Sequence, residues 1–224
     1  MMKWKTTSKD INFDLGPDRY VWGVPHPDII ALSERTTIRG TWLNLAAGDG
    51  RYNDLLLDRC ESVVAFDMDE KSLQRLIERV QPPNRSKIQP QVGDITAPLP
   101  FESNRFDGCL CTGVLHLLEA TTVRQVFAEV FRVLRPESCM IMDFAVDIQR
   151  ELPDGSMYLV DGEPRYSLDD GQRLLDDVFT GVDHETRTST VPDFPVENFD
   201  MTYVFRCNVL SLLARFGAST DEET

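Results

Sequence analysis

The chain has 224 residues, 42% of them apolar, and a formal net charge of −14. That length suits one doubly wound domain, and that apolar share excludes a disordered chain. A domain-wide negative field repels phosphate backbones and anionic membranes, and no run of lysine and arginine offsets it, so neither a membrane partner nor direct nucleic-acid binding without a partner is expected.

Residues 1–18 are polar and read as a loose tail. Pro27 stands where a first helical turn would start, followed by Ile29, Ile30 and Leu32. From Thr41 strands and helices alternate. TWLNLAA is a short apolar strand that ends in a turn at Gly48, and YNDLLLDRC reads as a helix. SVVAFD is a β-branched strand. Leu73, Leu76, Ile77 and Val80 then form a helical stripe, which Pro82-Pro83 ends. KIQPQVGD reads as a strand with Pro90 inside it, which points to a sheet edge.

FDGCLCTG is the next strand. Thr122 with Gln125 predicts a capping box ahead of the stripe Val123, Val126, Phe127, Val130, Phe131 and Leu134, and Pro136 stops that helix. CMIMDFAV is a buried strand, and residues 147–166 read as irregular. Ser167 with Asp170 caps a further helix, and HETRTSTV and MTYVFRCNVL close the chain as alternating strands.

These elements predict an α/β fold: a doubly wound, mostly parallel seven-stranded sheet with helices on both faces. The short link from Pro192 to Asp200 predicts an antiparallel C-terminal edge strand. The whole chain is expected to be a single domain. Residues 1–40 would be an N-terminal arm and helix, 41–146 a cofactor-binding core, 147–166 a substrate lid, and 167–212 a helix and strand hairpin.

Cys60, Cys109, Cys111, Cys139 and Cys207 scatter without a CxxC pair, which argues against a disulfide framework and for a reduced cytoplasm. Three histidines without HxH or HExxH spacing predict no metal site. The opening MMKWKTTSKDINF has no apolar stretch behind its lysines, unlike a signal peptide. No window approaches the roughly 18–20 apolar residues of a membrane span.

Ligands of open parallel sheets bind at the carboxyl ends of strands. That rule gathers four loops into one site. Ala46-Ala47-Gly48-Asp49-Gly50 is a turn that lets backbone approach a ligand. Asp67, 17 residues past Gly50, ends the second strand, where a carboxylate can accept from both hydroxyls of a ribose. Asp94 ends the third strand and can accept from an exocyclic amine, with Ile95 packing on a flat base. Cys111 to His116 closes over the glycine loop.

These residues resemble the class I S-adenosylmethionine-dependent methyltransferase family from about Thr41 to Val146. LNLAAGDGRY is similar to its first motif, VVAFDMD to its second, VGDI to its third and LPFESNRFDGCLCTGVLHLL to its fourth, the most specific of them. FRVLRPESCMIMDF resembles the helix, turn and strand that follow. The resemblance implies S-adenosylmethionine as cofactor. It implies that Asp67 holds the ribose, that Met68 lies against the adenine, and that Asp94 meets its amine. Asn44, Ala46, Gly48, Gly50, Ile95 and Cys111 complete the expected cofactor set. Asn44 stands in place of the family's usual acid, Ala46 in place of its first glycine, and Glu137-Ser138 in place of a glycine pair.

Methyl transfer needs nucleophile, methyl and sulfur in line, and a base only where the nucleophile arrives protonated. His116 is the candidate base or orienting group, with Asp143 second. Tyr20, Trp22, His116 and Tyr158 are the candidate substrate contacts, and Tyr166 belongs to the same lid. A small-molecule acceptor fits the acidic chain. Two alternatives stand beside it: methylation of RNA or protein with a partner subunit, and a non-catalytic binding domain of the same fold. A dinucleotide oxidoreductase is more distant, since the third glycine of its motif would be Asn53.

Overall fold

Alternation along strand β1 (Thr41–Leu45) divides its side chains between two cores. Trp42 joins one core, and Leu43 and Leu45 join the other. The computed structural model describes residues 20–21, 23–196 and 202–217, with only the backbone of Phe194. Trp22 and the whole N-terminal tail, residues 1–18, lie outside the described residues.

Helix α1 (Pro27–Ser33) precedes β1, with proline in its first turn as its sequence predicts. In chain order follow α2 (Asn53–Leu57), β2 (Ser62–Asp67), α3 (Glu70–Arg79), β3 (Ile88–Val92), β4 (Phe106–Cys111), α4 (Ala120–Val133), β5 (Leu134–Glu151), α5 (Leu168–Val178), β6 (Asp183–Val196) and β7 (Tyr203–Arg215). The seven strands form one sheet in the order β3-β2-β1-β4-β5-β7-β6. The first five are mutually parallel, and β7 runs antiparallel to both β5 and β6. Helices α1 to α3 bury Ile29, Leu32, Leu56, Leu57, Leu73 and Leu76 on one face of the sheet. Helices α4 and α5 bury Val123, Val126, Phe127, Leu174 and Leu175 on the other.

Four details differ from the expectations. The antiparallel C-terminal strand is not at the edge: it inserts between β5 and β6, so its apolar run Val209, Leu210, Leu212 and Leu213 is buried on both faces. Helix α4 starts two residues before the expected cap, with Glu119 as N-cap and no side-chain cap; the Glu119 carbonyl accepts from Val123 N at 2.9 Å. Strand β5 continues through residues 147–151, because Gln149–Glu151 pair with Val204–Arg206 across a bulge after Val146. The helix before it ends at Val133, ahead of Pro136. Two finer expectations hold. Ser167 and Asp170 form a reciprocal capping box, and Pro90 lies in β3 at the sheet edge.

Strand order reverses between β1 and β4: from β1 the chain winds outward to β2 and β3, then returns to β4 and β5. That switch point opens a crevice at the carboxyl ends of the parallel strands.

Candidate cofactor and active site

After β1 the chain turns sharply, with φ of +57° at Ala46, +53° at Gly48 and +84° at Gly50. Glycine adopts this region freely, whereas Ala46 does so against its Cβ. The glycine at position 50 is also required sterically, since a Cβ there would meet Asn53 Nδ2 at 2.5 Å and Leu76 at 2.8 Å. The turn is tied to β2 twice. Ala47 N donates to the Phe66 carbonyl at 3.1 Å, and Gly48 N donates to Asp67 Oδ2 at 2.8 Å.

These loops surround a cavity of about 170 Å³ at the switch point. Asn44, Ala46, Gly48, Asp67, Met68, Asp94 and Ile95 all line it. Gly50 and Cys111 do not. Gly50 turns toward Asn53 and α3, and Cys111 points into the core beneath α4, leaving the next residues, Thr112 and Gly113, on the cavity wall. Arg51, Tyr52 and Leu117 also line the cavity and were not anticipated, while Val114 lines it from the expected Cys111–His116 loop. Arg51 directly follows the glycine turn, and that position is the one sequence signal that pointed to it.

Asp67 accepts from Gly48 N on one oxygen and from Asp69 N on the other, at 2.9 Å. Burial raises its pKa from the usual carboxylate value, and these backbone donors pull it back down. An ionised carboxylate has about four acceptor sites, so both oxygens keep capacity for hydroxyls. Asp94 Oδ1 is oriented by Thr96, whose N and Oγ1 donate at 2.9 and 2.8 Å. Ile95 is 8% exposed and Met68 42%, giving one firm and one adjustable apolar surface beside the two acids.

Asp143 is buried behind the cavity wall and does not line it. Its Oδ1 accepts from Gly113 N at 2.6 Å, and its Oδ2 lies 3.8 Å from the Arg51 guanidinium. Burial raises its pKa, while Arg51 and the Gly113 amide oppose the rise. The same guanidinium lies 2.9 Å from where a Cβ on Gly113 would stand, so this glycine leaves room for Arg51.

His116 sits on the 3-10 turn Leu115–Leu117. A turn of three residues sends successive side chains about a third of a circle apart. Leu117 therefore faces the cavity and His116 does not. Its Nδ1 is sealed from solvent without a hydrogen-bond partner. Burial, then the fields of Arg150 and Arg51, pushes its pKa down to about 3. The imidazole is neutral near pH 7 and is a poor proton acceptor there.

The segment expected to be a lid, residues 147–166, is tied down near both ends. Arg150 pairs with Glu163 through two hydrogen bonds of 2.6 and 2.7 Å, and Tyr166 OH donates to the Leu118 carbonyl at 2.6 Å. Leu118 lines the cavity, so this bond ties the segment to the cavity wall. Tyr158, in the same segment, does not line the cavity; it lies beside Tyr203, ring centroids 6.2 Å apart.

The arm crosses the glycine turn from outside. Val21 N donates to Asp49 Oδ2 at 2.8 Å, and Arg79 and Arg75 approach that oxygen at 3.4 and 3.5 Å. The Tyr20 ring stacks on Arg79 at 3.8 Å, away from the cavity. His26 N donates to Tyr52 OH at 2.9 Å, and burial raises the Tyr52 phenol to about 12.

Residues 43–142 match the family model described as methyltransferase domain. No curated protein matches the chain. Among solved structures, an S-adenosylmethionine-dependent methyltransferase from Methanosarcina mazei is 15% identical, with a TM-score of 0.62 over 88% of this chain and 100% of that one. The YcgJ protein of Bacillus subtilis is 13% identical, with a TM-score of 0.60 over 87% of this chain and 100% of that one. The complex of DhpI with S-adenosylhomocysteine is 17% identical, with a TM-score of 0.53 over 85% of each chain.

Proposed function

We propose that the chain, whose residues 43–142 match the methyltransferase-domain model and whose fold is like that of class I methyltransferases, transfers a methyl group from S-adenosylmethionine to a small-molecule acceptor. The observation that carries this is the cavity itself. Two carboxylates, Asp67 and Asp94, stand at neighbouring strand ends, with Ile95 and Met68 beside them and a backbone turn at Gly48. That donor set fits a nucleoside: one acid for the ribose hydroxyls, one for an exocyclic amine, and apolar surface for the base.

When bound, the cofactor supplies a methyl carbon made electrophilic by a sulfonium. The protein's part is positioning and exclusion of water. Asp67 and Asp94 hold the nucleoside, the turn at Ala46–Gly50 approaches it through backbone, and Arg51 and Thr112 bound the far end. The lid, tied to the cavity wall through Tyr166, screens the acceptor side. Asp143 braces the Gly113 turn and the Arg51 guanidinium. His116 stays neutral and turned away from the cavity, so in this reading it is not the base for the transfer.

The chain's negative charge disfavours polyanionic acceptors. Among the described residues no helix is long and apolar enough to cross a membrane. Five free, buried cysteines fit a reducing cytoplasm. Incubating the protein with methyl-labelled S-adenosylmethionine and a cell extract split into small-molecule, protein and RNA fractions tests the acceptor class. Label in the small-molecule fraction is expected. Label confined to protein or RNA would defeat this reading of the acceptor.

A further inference from the structure

Asn44 and Asn53 are both buried, each 4% exposed, and Asn44 Nδ2 donates to Asn53 Oδ1 at 3.1 Å. Asn53 opens helix α2 and is held there by its own N–H, which donates to the Gly50 carbonyl at 2.9 Å. Its amide nitrogen points the other way, toward the space that the missing Cβ of Gly50 leaves free. The direct bond joins the pair, and the absence of a side chain at position 50 leaves room for the second amide atom of Asn53.

Strand order fixes what Asn44 faces. Asp94 follows β3, Asp67 ends β2, Asn44 lies on β1 and Thr112 follows β4, and these strands are successive neighbours in the sheet. A ligand with its base at Asp94 and its ribose at Asp67 must carry whatever lies beyond the ribose over β1 and β4. In S-adenosylmethionine that portion ends in an ammonium, which only donates, and a carboxylate, which only accepts. With its NH2 turned toward Asn53, Asn44 carries its oxygen on the opposite side of the amide.

We propose that Asn53 is a positioning residue for the amino-acid end of the cofactor: by accepting from Asn44 Nδ2 it fixes that amide with Oδ1 available to the ligand's ammonium. The inference rests on the cofactor reading above. It assigns a task to a residue that does not touch the cavity. An uncharged amide cannot choose between donating and accepting by its own charge. The neighbour makes that choice, at the cost of one buried side chain whose sole acceptor is spent on the task.

Calorimetric titration tests it with two probes, S-adenosylhomocysteine and methylthioadenosine, the second lacking both ammonium and carboxylate. Asn53→Ala should weaken S-adenosylhomocysteine about ten-fold, the loss of one well-placed hydrogen bond, and leave methylthioadenosine within about two-fold. Asn53→Asp, whose carboxylate accepts and never donates, should hold Asn44 in the same sense and retain S-adenosylhomocysteine binding. Equal loss for both probes in Asn53→Ala would mean a merely structural role and overturn the proposal, as would no loss for either. Should Asn53→Ala fail to fold, Asn53→Ser, too short to reach Asn44, carries the same comparison. Wild-type protein that binds neither probe would defeat the cofactor reading and this inference with it. Wild-type binding of both, with S-adenosylhomocysteine unaffected by Asn53→Ala, would defeat this inference alone.

Discussion

Gly48 donates its backbone N–H to Asp67 Oδ2 at 2.8 Å, so the turn after β1 and the acid that ends β2 form one hydrogen-bonded unit. Asp67 therefore shapes the site as well as binding in it. Asp67→Ala should weaken S-adenosylmethionine by about 100-fold, through lost charge-assisted hydrogen bonds, and should lower the melting temperature by freeing two partly buried backbone donors. Asp67→Asn keeps one acceptor and should fall between the two in affinity. Calorimetry and thermal melts on the same preparations check both parts.

Ala46 holds φ of +57° and Glu137 holds +62°, each at a place where the family resemblance implies glycine. The left-handed region costs a non-glycine residue about 1–2 kcal/mol, partly offset by the greater unfolded-state freedom of glycine. Ala46→Gly and Glu137→Gly should each stabilise the protein by about 0.5–1 kcal/mol in urea unfolding. Loss of stability in both would show that the strain is relieved elsewhere.

His116 links stability to pH with a definite sign. Its pKa is lowered to about 3 in the fold, against roughly 6.5 in the unfolded chain, so the unfolded state binds the extra proton between those values. Its contribution is fully present above pH 6.5 and is lost as pH falls toward 3. From pH 7 to pH 5 the loss is at most roughly 2 kcal/mol. Asp67 and Asp143, with raised pKa values, act with the opposite sign at lower pH. The difference in unfolding free energy between wild type and His116→Gln, measured at pH 7 and at pH 5, isolates the histidine. That difference should shrink at pH 5, and a constant difference would contradict the account.

Much of the site was legible because its parts fall at strand ends, and strand ends are visible in hydrophobic pattern. Asp67 and Asp94 were found that way. The errors have physical causes. Cys111 was placed one residue early, since period-two alternation sends position 111 into the α4 core and position 112 to the cavity wall. His116 was chosen for its intrinsic pKa, but a three-residue turn decides its direction, and burial, helped by two arginines, decides its charge. The insertion of β7 between β5 and β6 was not legible from a short connecting segment, which fixes adjacency of β6 and β7 but not which of them meets β5. Asn53 carried no signal at all, because its role depends on Asn44 across the first turn.

Asp49 fastens the arm to the glycine turn through Val21 N, with Arg75 and Arg79 beside the same oxygen. Asp49→Ala leaves two partly buried guanidiniums without this counter-charge and should cost about 3 kcal/mol. Amide hydrogen exchange at Val21 should speed up in the variant well beyond the global change in stability. Unchanged protection there would mean that other contacts hold the arm.

The most direct measurement is calorimetric titration of the purified protein with S-adenosylmethionine, S-adenosylhomocysteine and NAD, in wild type and Asp67→Ala. The account predicts one-to-one binding of the two adenosyl ligands, none of NAD, and loss of both in the variant. Binding of NAD in preference, or of neither adenosyl ligand, would contradict the assignment of this cavity to S-adenosylmethionine.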